Sequence, residues 1–152
     1  MKLSPTNYTR TADWLAACGK EPSEENLSVQ IGCQLEEMAE YLECINTGTS
    51  TADFTRRNVV YQLRALGEML KLRVTIAHIP HIMRGAALDA LCDIEVTGNG
   101  VAFMAGFDKN SADEVVLTSN EDKLVDGKPV LLPGGKIGKP DGWVAPDLSR
   151  YV

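Results

Sequence analysis

The chain has 152 residues, of which 44% are hydrophobic and 24% are charged, and its formal net charge is -6. This length and composition suit one globular domain with its own core. The negative net charge argues against a protein that coats nucleic acids through non-specific electrostatic binding. The charge is unevenly distributed, because residues 21–50 contain no Lys or Arg, whereas residues 123–139 contain Lys123, Lys128, Lys136 and Lys139.

Helical periodicity and capping residues predict two helices in the first third of the chain. The first is expected over about residues 4–18, with Ser4 as N-cap and Pro5 in its first turn. The second is expected from Ser23, its N-cap, to about Asn46. It contains most of the acidic residues of the segment that lacks Lys and Arg.

Two longer helices are predicted in the middle of the chain. The third covers about residues 51–77 and ends before Pro80, which cannot continue a helix. The fourth covers about residues 81–106 and ends at a glycine suited to a C-cap. Because residues 96–107 carry no charge, this helix is apolar nearly all round and is expected at the centre of a bundle.

The last part of the chain predicts one short helix and a tail. The helix is expected over residues 111–122. Gly, Pro and Lys then dominate, which indicates a tail without regular structure over about residues 123–152, with at most a short strand near residues 130–132. The expected fold class is therefore all-α: four to five helices over about residues 4–122, forming with the tail a single domain over residues 1–152.

The cysteines and the hydropathy limit the class of protein further. Cys18, Cys33, Cys44 and Cys92 form no C-x-x-C pair, so neither a zinc knuckle nor a thioredoxin-type site is expected. We expect these residues to be reduced and mostly buried. No signal peptide or bilayer-spanning apolar run is evident, so the expected location is cytoplasmic, with no membrane partner.

Four glutamates lie on one face of the second predicted helix: Glu36, Glu37, Glu40 and Glu43. They cover about 120° of that helix at about 100° per residue. A solvated polar face is one interpretation. However, Glu36 and Glu40 are a repelling pair one turn apart, and their segment has no basic residue to offset the repulsion. Pooled carboxylates of this kind are typical ligands of a hard cation such as Mg²⁺.

A second acidic pair, Asp89 and Asp93, lies one turn apart on the fourth predicted helix. A buried carboxylate without a partner is costly. These two residues therefore need either a metal ion or an ion pair with one of four arginines, and both alternatives stay open. The arginines are Arg56, Arg57, Arg64 and Arg84.

The order of these motifs resembles that of the all-α nucleoside triphosphate pyrophosphohydrolases, the group of MazG and phosphoribosyl-ATP pyrophosphohydrolase. Glu36-Glu37-Met-Ala-Glu40 matches the family's Glu-Glu-x-x-Glu. Asp89-Ala-Leu-Cys-Asp93 is similar to its Glu-x-x-Asp, with the first acid one residue before Ala90. The resemblance extends over about residues 25–150 and includes the lysine-rich tail. It implies a MazG-like helical bundle.

The resemblance also implies an activity: Mg²⁺-dependent cleavage of a (d)NTP to the monophosphate and pyrophosphate, for house-cleaning or control of the nucleotide pool, with Mn²⁺ as a possible substitute. Glu36 would orient the attacking water. Metal ligands would be Glu37, Glu40, Asp89 and Asp93. The phosphates would contact Asn120, Lys123, Lys128, Lys136 and Lys139. A homodimer or homotetramer is implied, with no nucleic-acid partner.

Two alternatives to this activity stay open at the level of the sequence. One is hydrolysis of phosphoribosyl-ATP in histidine synthesis by the same fold. The other is a non-enzymatic helical interaction module whose acidic face is only solvated.

Overall fold

The computed structural model of the protein describes residues 6–132 and 136–152, and it confirms the all-α class. The α-helices are α1 (Asn7–Ala17), α2 (Glu24–Glu43), α3 (Ser50–Lys71), α4 (Arg84–Ala105) and α5 (Lys109–Glu121). Short 3₁₀ turns cover His81–Met83 and Ser149–Tyr151, and strands β1 (Leu124–Val125) and β2 (Lys128–Pro129) pair antiparallel. No helix of the described residues is long and apolar enough to span a bilayer.

The chain divides into two compact units, which are described separately here. The α2–α3 unit is Pro22–His78, and the α1–α4–α5 unit combines Met1–Glu21 with Ile79–Val152.

Capping residues set the starts of the first two helices. Thr6 caps α1 and forms a reciprocal capping box with Thr9, so the helix begins at Asn7. The predicted cap Ser4 and Pro5 lie outside the described residues. For α2 the predicted N-cap is confirmed, since the side chain of Ser23 accepts a hydrogen bond from the backbone N–H of Asn26.

The third helix ends earlier than the sequence predicts. It stops at Lys71 rather than at Ala77, because Arg73 takes a left-handed conformation with φ 57°. The N–H of Arg73 bonds to the carbonyl of Leu70, and that of Val74 bonds to the carbonyl of Met69. These two bonds form a Schellman motif, which usually has Gly at the left-handed position and is therefore hard to predict when Arg occupies it.

Two glycines hold α2 and α3 together at close range. A Cβ atom placed on Gly32 would lie 2.7 Å from the carbonyl oxygen of Gly67, and one on Gly67 would lie 2.9 Å from that of Gly32. Both values are below any normal contact, so the two backbones can approach only because neither residue has a side chain. Ser28, which is fully buried, accepts a hydrogen bond from the N–H of Ala77 and holds the end of the unit against α2.

In the α1–α4–α5 unit, polar contacts join α1 to α5. The guanidinium of Arg10 contacts Glu114 at 2.6 Å and Glu121 at 2.9 Å. The C-terminal turn is attached to the start of α5, since the N–H of Asp108 donates to the carbonyl of Tyr151. Neither α1 nor α5 has a fully buried residue among those described, so this packing depends largely on such polar contacts.

Helix α4 is exposed along nearly its whole length. Of its described residues, one, Ala102, is buried. The large apolar side chains exposed on it are Leu88, Leu91, Ile94, Val96, Val101, Phe103 and Met104. The prediction that this helix is buried at the centre of a bundle is therefore wrong for the chain by itself.

The predicted tail without regular structure contains a small hairpin. Asp126 and Gly127 both have positive φ, 50° and 74°, and they connect β1 to β2. Asp-Gly in a two-residue turn with positive φ at both positions is typical of a type I′ hairpin. An isolated bridge joins Leu131 to Ile137. The prediction of an irregular segment is thus wrong at residues 124–129.

Each of the four cysteines lies in the described part of the chain, and none forms a disulfide. Burial was the expectation for most of them. It holds for Cys18, whereas Cys33 is half-buried and Cys44 and Cys92 are exposed.

Candidate active site

The structure divides the four glutamates of α2 into two pairs. Glu36 and Glu43, two turns apart, contact basic residues of α3. Nζ of Lys71 lies 2.8 Å from Glu36, and a guanidinium nitrogen of Arg64 lies 2.7 Å from Glu43. Glu37 and Glu40 are exposed. The sequence showed no basic residue near these acids because the compensating charges lie on the neighbouring helix.

Lys71 is the most enclosed charged group of this site. Its side chain is 14% exposed, and it contacts Glu68 at 3.3 Å as well as Glu36. Burial lowers the pKa of Lys71, but hydrogen bonds to Glu36 and Glu68 outweigh it and raise that pKa above its usual value. The lysine therefore stays protonated and holds the Glu36 carboxylate in place.

Close approach of the two helices places Lys71 where it can reach Glu36. A Cβ atom on Gly32 would lie 2.9 Å from Cγ of Lys71. The lysine stem thus passes over the bare backbone of Gly32. A small open pocket of about 240 Å³ lies beside it, lined by Glu36, Arg64, Gly67, Glu68 and Lys71.

Glu37 and Glu40 fit the requirements of a magnesium ion in donor chemistry. They lie three residues apart on one helix, a spacing at which side chains are neighbours. Mg²⁺ is commonly held by one or two carboxylates, together with water and substrate phosphates. In donor chemistry and in number the two carboxylates thus correspond to this type of ligand set.

Asp89 and Asp93 are both exposed on α4. Within residues 79–132 and 136–152, neither forms an ion pair, so Arg84 is not their partner. The other three arginines contact acids of the α2–α3 unit: Arg56 and Arg57 contact Asp53, and Arg64 contacts Glu43. The sequence argument required a partner because it assumed that both aspartates are buried. Both are exposed, so their carboxylates can be solvated by water without a partner.

In neither unit do the described residues bring together three or more His, Cys, Asp or Glu side chains in a group that could hold a metal ion.

Of the residues expected to bind phosphate, Lys123 and Lys139 lie close to a tryptophan ring. Nζ of Lys123 is 2.8 Å from Oδ1 of Asn120 and 5.3 Å from the centre of the Trp143 ring. Nζ of Lys139 is 4.7 Å from the same ring. Lys128, on β2, and Lys136 are exposed, and neither is among the lysines close to a tryptophan ring within residues 6–132 and 136–152.

Comparison of the chain with protein-family models, with curated proteins and with solved structures gave no match in any of the three. The assignment of a function to this site therefore depends on its residues and their geometry.

Sequence reasoning missed Lys71 and underrated Trp143. Lys71 is three residues after Glu68, which is a common spacing on any helix surface and gives no signal of a contact with α2. A single Trp in a segment rich in Gly and Pro indicates neither burial nor a ligand contact by itself. Its contacts with two lysines depend on the path of the tail, which the sequence did not show.

Proposed function

We propose that the protein is a Mg²⁺-dependent nucleoside triphosphate pyrophosphohydrolase, which converts a (d)NTP to the monophosphate and pyrophosphate. The observation that supports this best is the position of the α2 acids. Glu37 and Glu40 are exposed and three residues apart on one helix, and Lys71 holds Glu36 of the same helix at 2.8 Å. The MazG-like order of the acidic motifs is consistent with this activity.

Each carboxylate has a separate role in this proposal. Glu37, Glu40, Asp89 and Asp93 are the carboxylates that would supply ligands to Mg²⁺, and the ion would neutralise negative charge on the phosphate oxygens. Glu36 orients the attacking water and accepts its proton. The water oxygen bonds to phosphorus, the bridging P–O bond between the α- and β-phosphates breaks, and pyrophosphate leaves with the bonding electrons.

The substrate's phosphates are bound, in this proposal, by side chains after α4. These are Asn120, Lys123, Lys128, Lys136 and Lys139. Ammonium groups act as point charges toward phosphate oxygens, and glycines in the same segment allow the backbone to approach closely.

The exposure of α4 supports a homodimer or homotetramer. Leu91, Ile94, Gly98, Val101 and Ala105 follow one another at alternating spacings of three and four residues. This is the spacing of a helix that packs along another helix. An apolar helix of this length is not expected to remain in contact with water, so we propose that α4 is covered in a symmetric assembly of this chain.

A non-enzymatic helical module is the second candidate. One observation favours it: Lys71 and Arg64 already compensate Glu36 and Glu43. Such a module needs no cation at its acidic face, and it therefore differs from the enzyme in magnesium binding.

A substrate panel tests the proposal. Pyrophosphate release is measured with each (d)NTP and with phosphoribosyl-ATP, in Mg²⁺, in Mn²⁺ and in chelator. The proposal expects release that requires the divalent ion. Preference for phosphoribosyl-ATP would move the assignment to histidine synthesis. No release from any substrate, together with no Mg²⁺ site by calorimetry, would favour the module.

A further inference from the structure

Both tryptophans of the chain lie around one ammonium group. Nζ of Lys123 is 6.0 Å from the centre of the Trp14 ring and 5.3 Å from that of Trp143. The chain has two tryptophans in all, so intrinsic tryptophan fluorescence reports on the surroundings of this one lysine. Ammonium groups are attracted to the faces of indole rings.

The Trp143 ring is fixed at a defined place beside α5. Its Nε1–H donates to the backbone carbonyl of Ser119 at 2.9 Å, which ties the tail to the last turn of the helix. Two ammonium groups lie close to this ring, since Nζ of Lys139 is 4.7 Å and Nζ of Lys123 is 5.3 Å from the ring centre. Within the described residues, Lys139 forms no ion pair.

The Trp143 ring offsets part of the repulsion between the ammonium groups of Lys123 and Lys139. Each ammonium gains from the negative face of the same ring, and Lys123 is further oriented by Oδ1 of Asn120 at 2.8 Å. Two cations within about 5 Å of one ring centre attract a ligand that carries more than one negative charge, such as a chain of phosphates.

We propose that Trp143 is a positioning residue that holds Lys123 and Lys139 together as one polyphosphate-binding pair. Lys128 and Lys136 are not part of this pair. The identification of the ligand as a substrate's phosphate chain rests on the proposed function, whereas binding of inorganic polyphosphate does not require turnover.

Fluorescence titration of the full chain with inorganic tripolyphosphate tests the pair directly. We expect a saturable change in tryptophan emission. Lys139→Ala should weaken binding about tenfold, which is the scale of one charge-assisted contact. Lys109→Ala is the control, because the ammonium of Lys109 is paired with Asp113 at 2.6 Å, and it should change the affinity less than about twofold. Equal effects of the two variants, or no change in emission, would overturn the proposal.

Two substitutions of the ring separate positioning from a general structural role, with affinity measured by calorimetry. Trp143→Phe keeps an aromatic face but loses the hydrogen bond to Ser119, so it should retain most of the affinity. Trp143→Ala removes the face and should weaken tripolyphosphate binding by about threefold or more, with a smaller effect at high salt. Equal loss in both variants, at all salt concentrations, would mean that Trp143 only anchors the tail.

The two proposals fail in different ways. If tripolyphosphate binds as described but no (d)NTP is hydrolysed, the lysine pair stands and the proposed enzymatic function does not. If hydrolysis occurs and Trp143→Ala changes kcat but not KM, the pair does not bind the phosphates and the inference fails.

Discussion

The α2–α3 unit and helix α4 differ in how closely their side chains are packed and how many are buried. Between α2 and α3, two glycines allow backbone contact, and three cross-helix or intrahelical ion pairs involve Lys71 and Arg64. Helix α4 has more apolar character, yet one residue of its described length is buried. Helices α2 and α3 thus pack closely and pair their charges with each other, whereas the apolar side chains of α4 are mostly exposed.

The difference shows that hydrophobicity of a helix does not determine its burial within one chain. Side chains on α2 and α3 match in size and charge at positions such as Gly32 with Gly67 and Glu36 with Lys71. Helix α4 has an uninterrupted apolar seam but no such matched partner in the elements described with it. The proposed homo-oligomer would cover a seam of this kind.

The carboxylates of the two regions provide the test with the largest expected effect. Glu37→Gln and Glu40→Gln on α2, and Asp93→Asn on α4, should each lower pyrophosphate release more than about 100-fold, because loss of a metal ligand should exceed the 10- to 100-fold effect of outer-shell changes. Circular dichroism should show unchanged helix content. Steady-state pyrophosphate release is the measurement.

Glu43→Gln is the matched control on α2, since Glu43 contacts Arg64 and is not assigned to the cation. Its turnover should remain within about twofold of the parent, as expected for a surface ion pair. If Glu43→Gln and Glu40→Gln lose activity equally, the division of the glutamates has been assigned wrongly.

A charge placed on the α4 seam should break the proposed assembly. Ile94→Glu introduces a carboxylate into an apolar contact and should shift the mass measured by light scattering to that of a monomer. Ile82, 90% exposed on the 3₁₀ turn before α4, provides the control, and Ile82→Glu should leave the mass unchanged. A parent protein that is monomeric at all concentrations would contradict this use of the seam.

The sequence predicted the existence and type of all five helices, because apolar periodicity and caps such as Ser23 and Gly106 are local signals. It placed the end of α3 wrongly because Arg73, not Gly, takes the left-handed position. It also predicted Asp126-Gly127 as part of an irregular tail, although this dipeptide is a strong hairpin signal.

For the candidate site, the sequence identified the acidic residues but not their partners. Pairing of Glu36 with Lys71 depends on how α2 and α3 pack, and the two residues are far apart in sequence. The same is true of Trp143 and Ser119. Local patterns predict which residue types could act, whereas the contacts that separate Glu36 from Glu37 and Glu40 depend on tertiary structure.

Close packing in the α2–α3 unit can be broken with a single methyl group. Gly32→Ala forces its Cβ against the Gly67 carbonyl oxygen, a backbone atom that cannot move independently. Overpacking costs about 1–3 kcal/mol, and replacing Gly in a helix gains about 1 kcal/mol. Because the contact is with backbone, we expect the upper part of the difference, a net loss of up to about 2 kcal/mol in the free energy of unfolding, measured by denaturant titration.

The same substitution on α4 sharpens the comparison. A Cβ atom on Gly100 meets nothing within 4 Å, so Gly100→Ala should stabilise the helix by about 0.5–1 kcal/mol. A destabilising effect at Gly100 would show that another surface packs closely there in solution, and the test would then locate the covered side of α4.

The smallest expected effect concerns α1 and α5, whose packing is mainly polar. A hydrogen bond from Arg10 lowers the pKa of Glu121. The stabilisation of the folded state by this hydrogen bond is therefore present above the unfolded-state pKa of about 4.3. It is lost as the pH falls through the lower pKa of Glu121 in the folded state. Glu121→Gln should reduce Tm at neutral pH by no more than about 3 °C, because the pair is partly solvated. The difference from the parent should disappear in acid below both pKa values.

Glu114→Gln is the control, since Glu114 is 68% exposed and contacts Arg10 through one nitrogen, and its effect should be smaller. If both variants were neutral at every pH, the contacts of Arg10 would contribute nothing measurable. The attachment of α1 to α5 would then depend on its half-buried apolar side chains, as the α2–α3 unit depends on its packing.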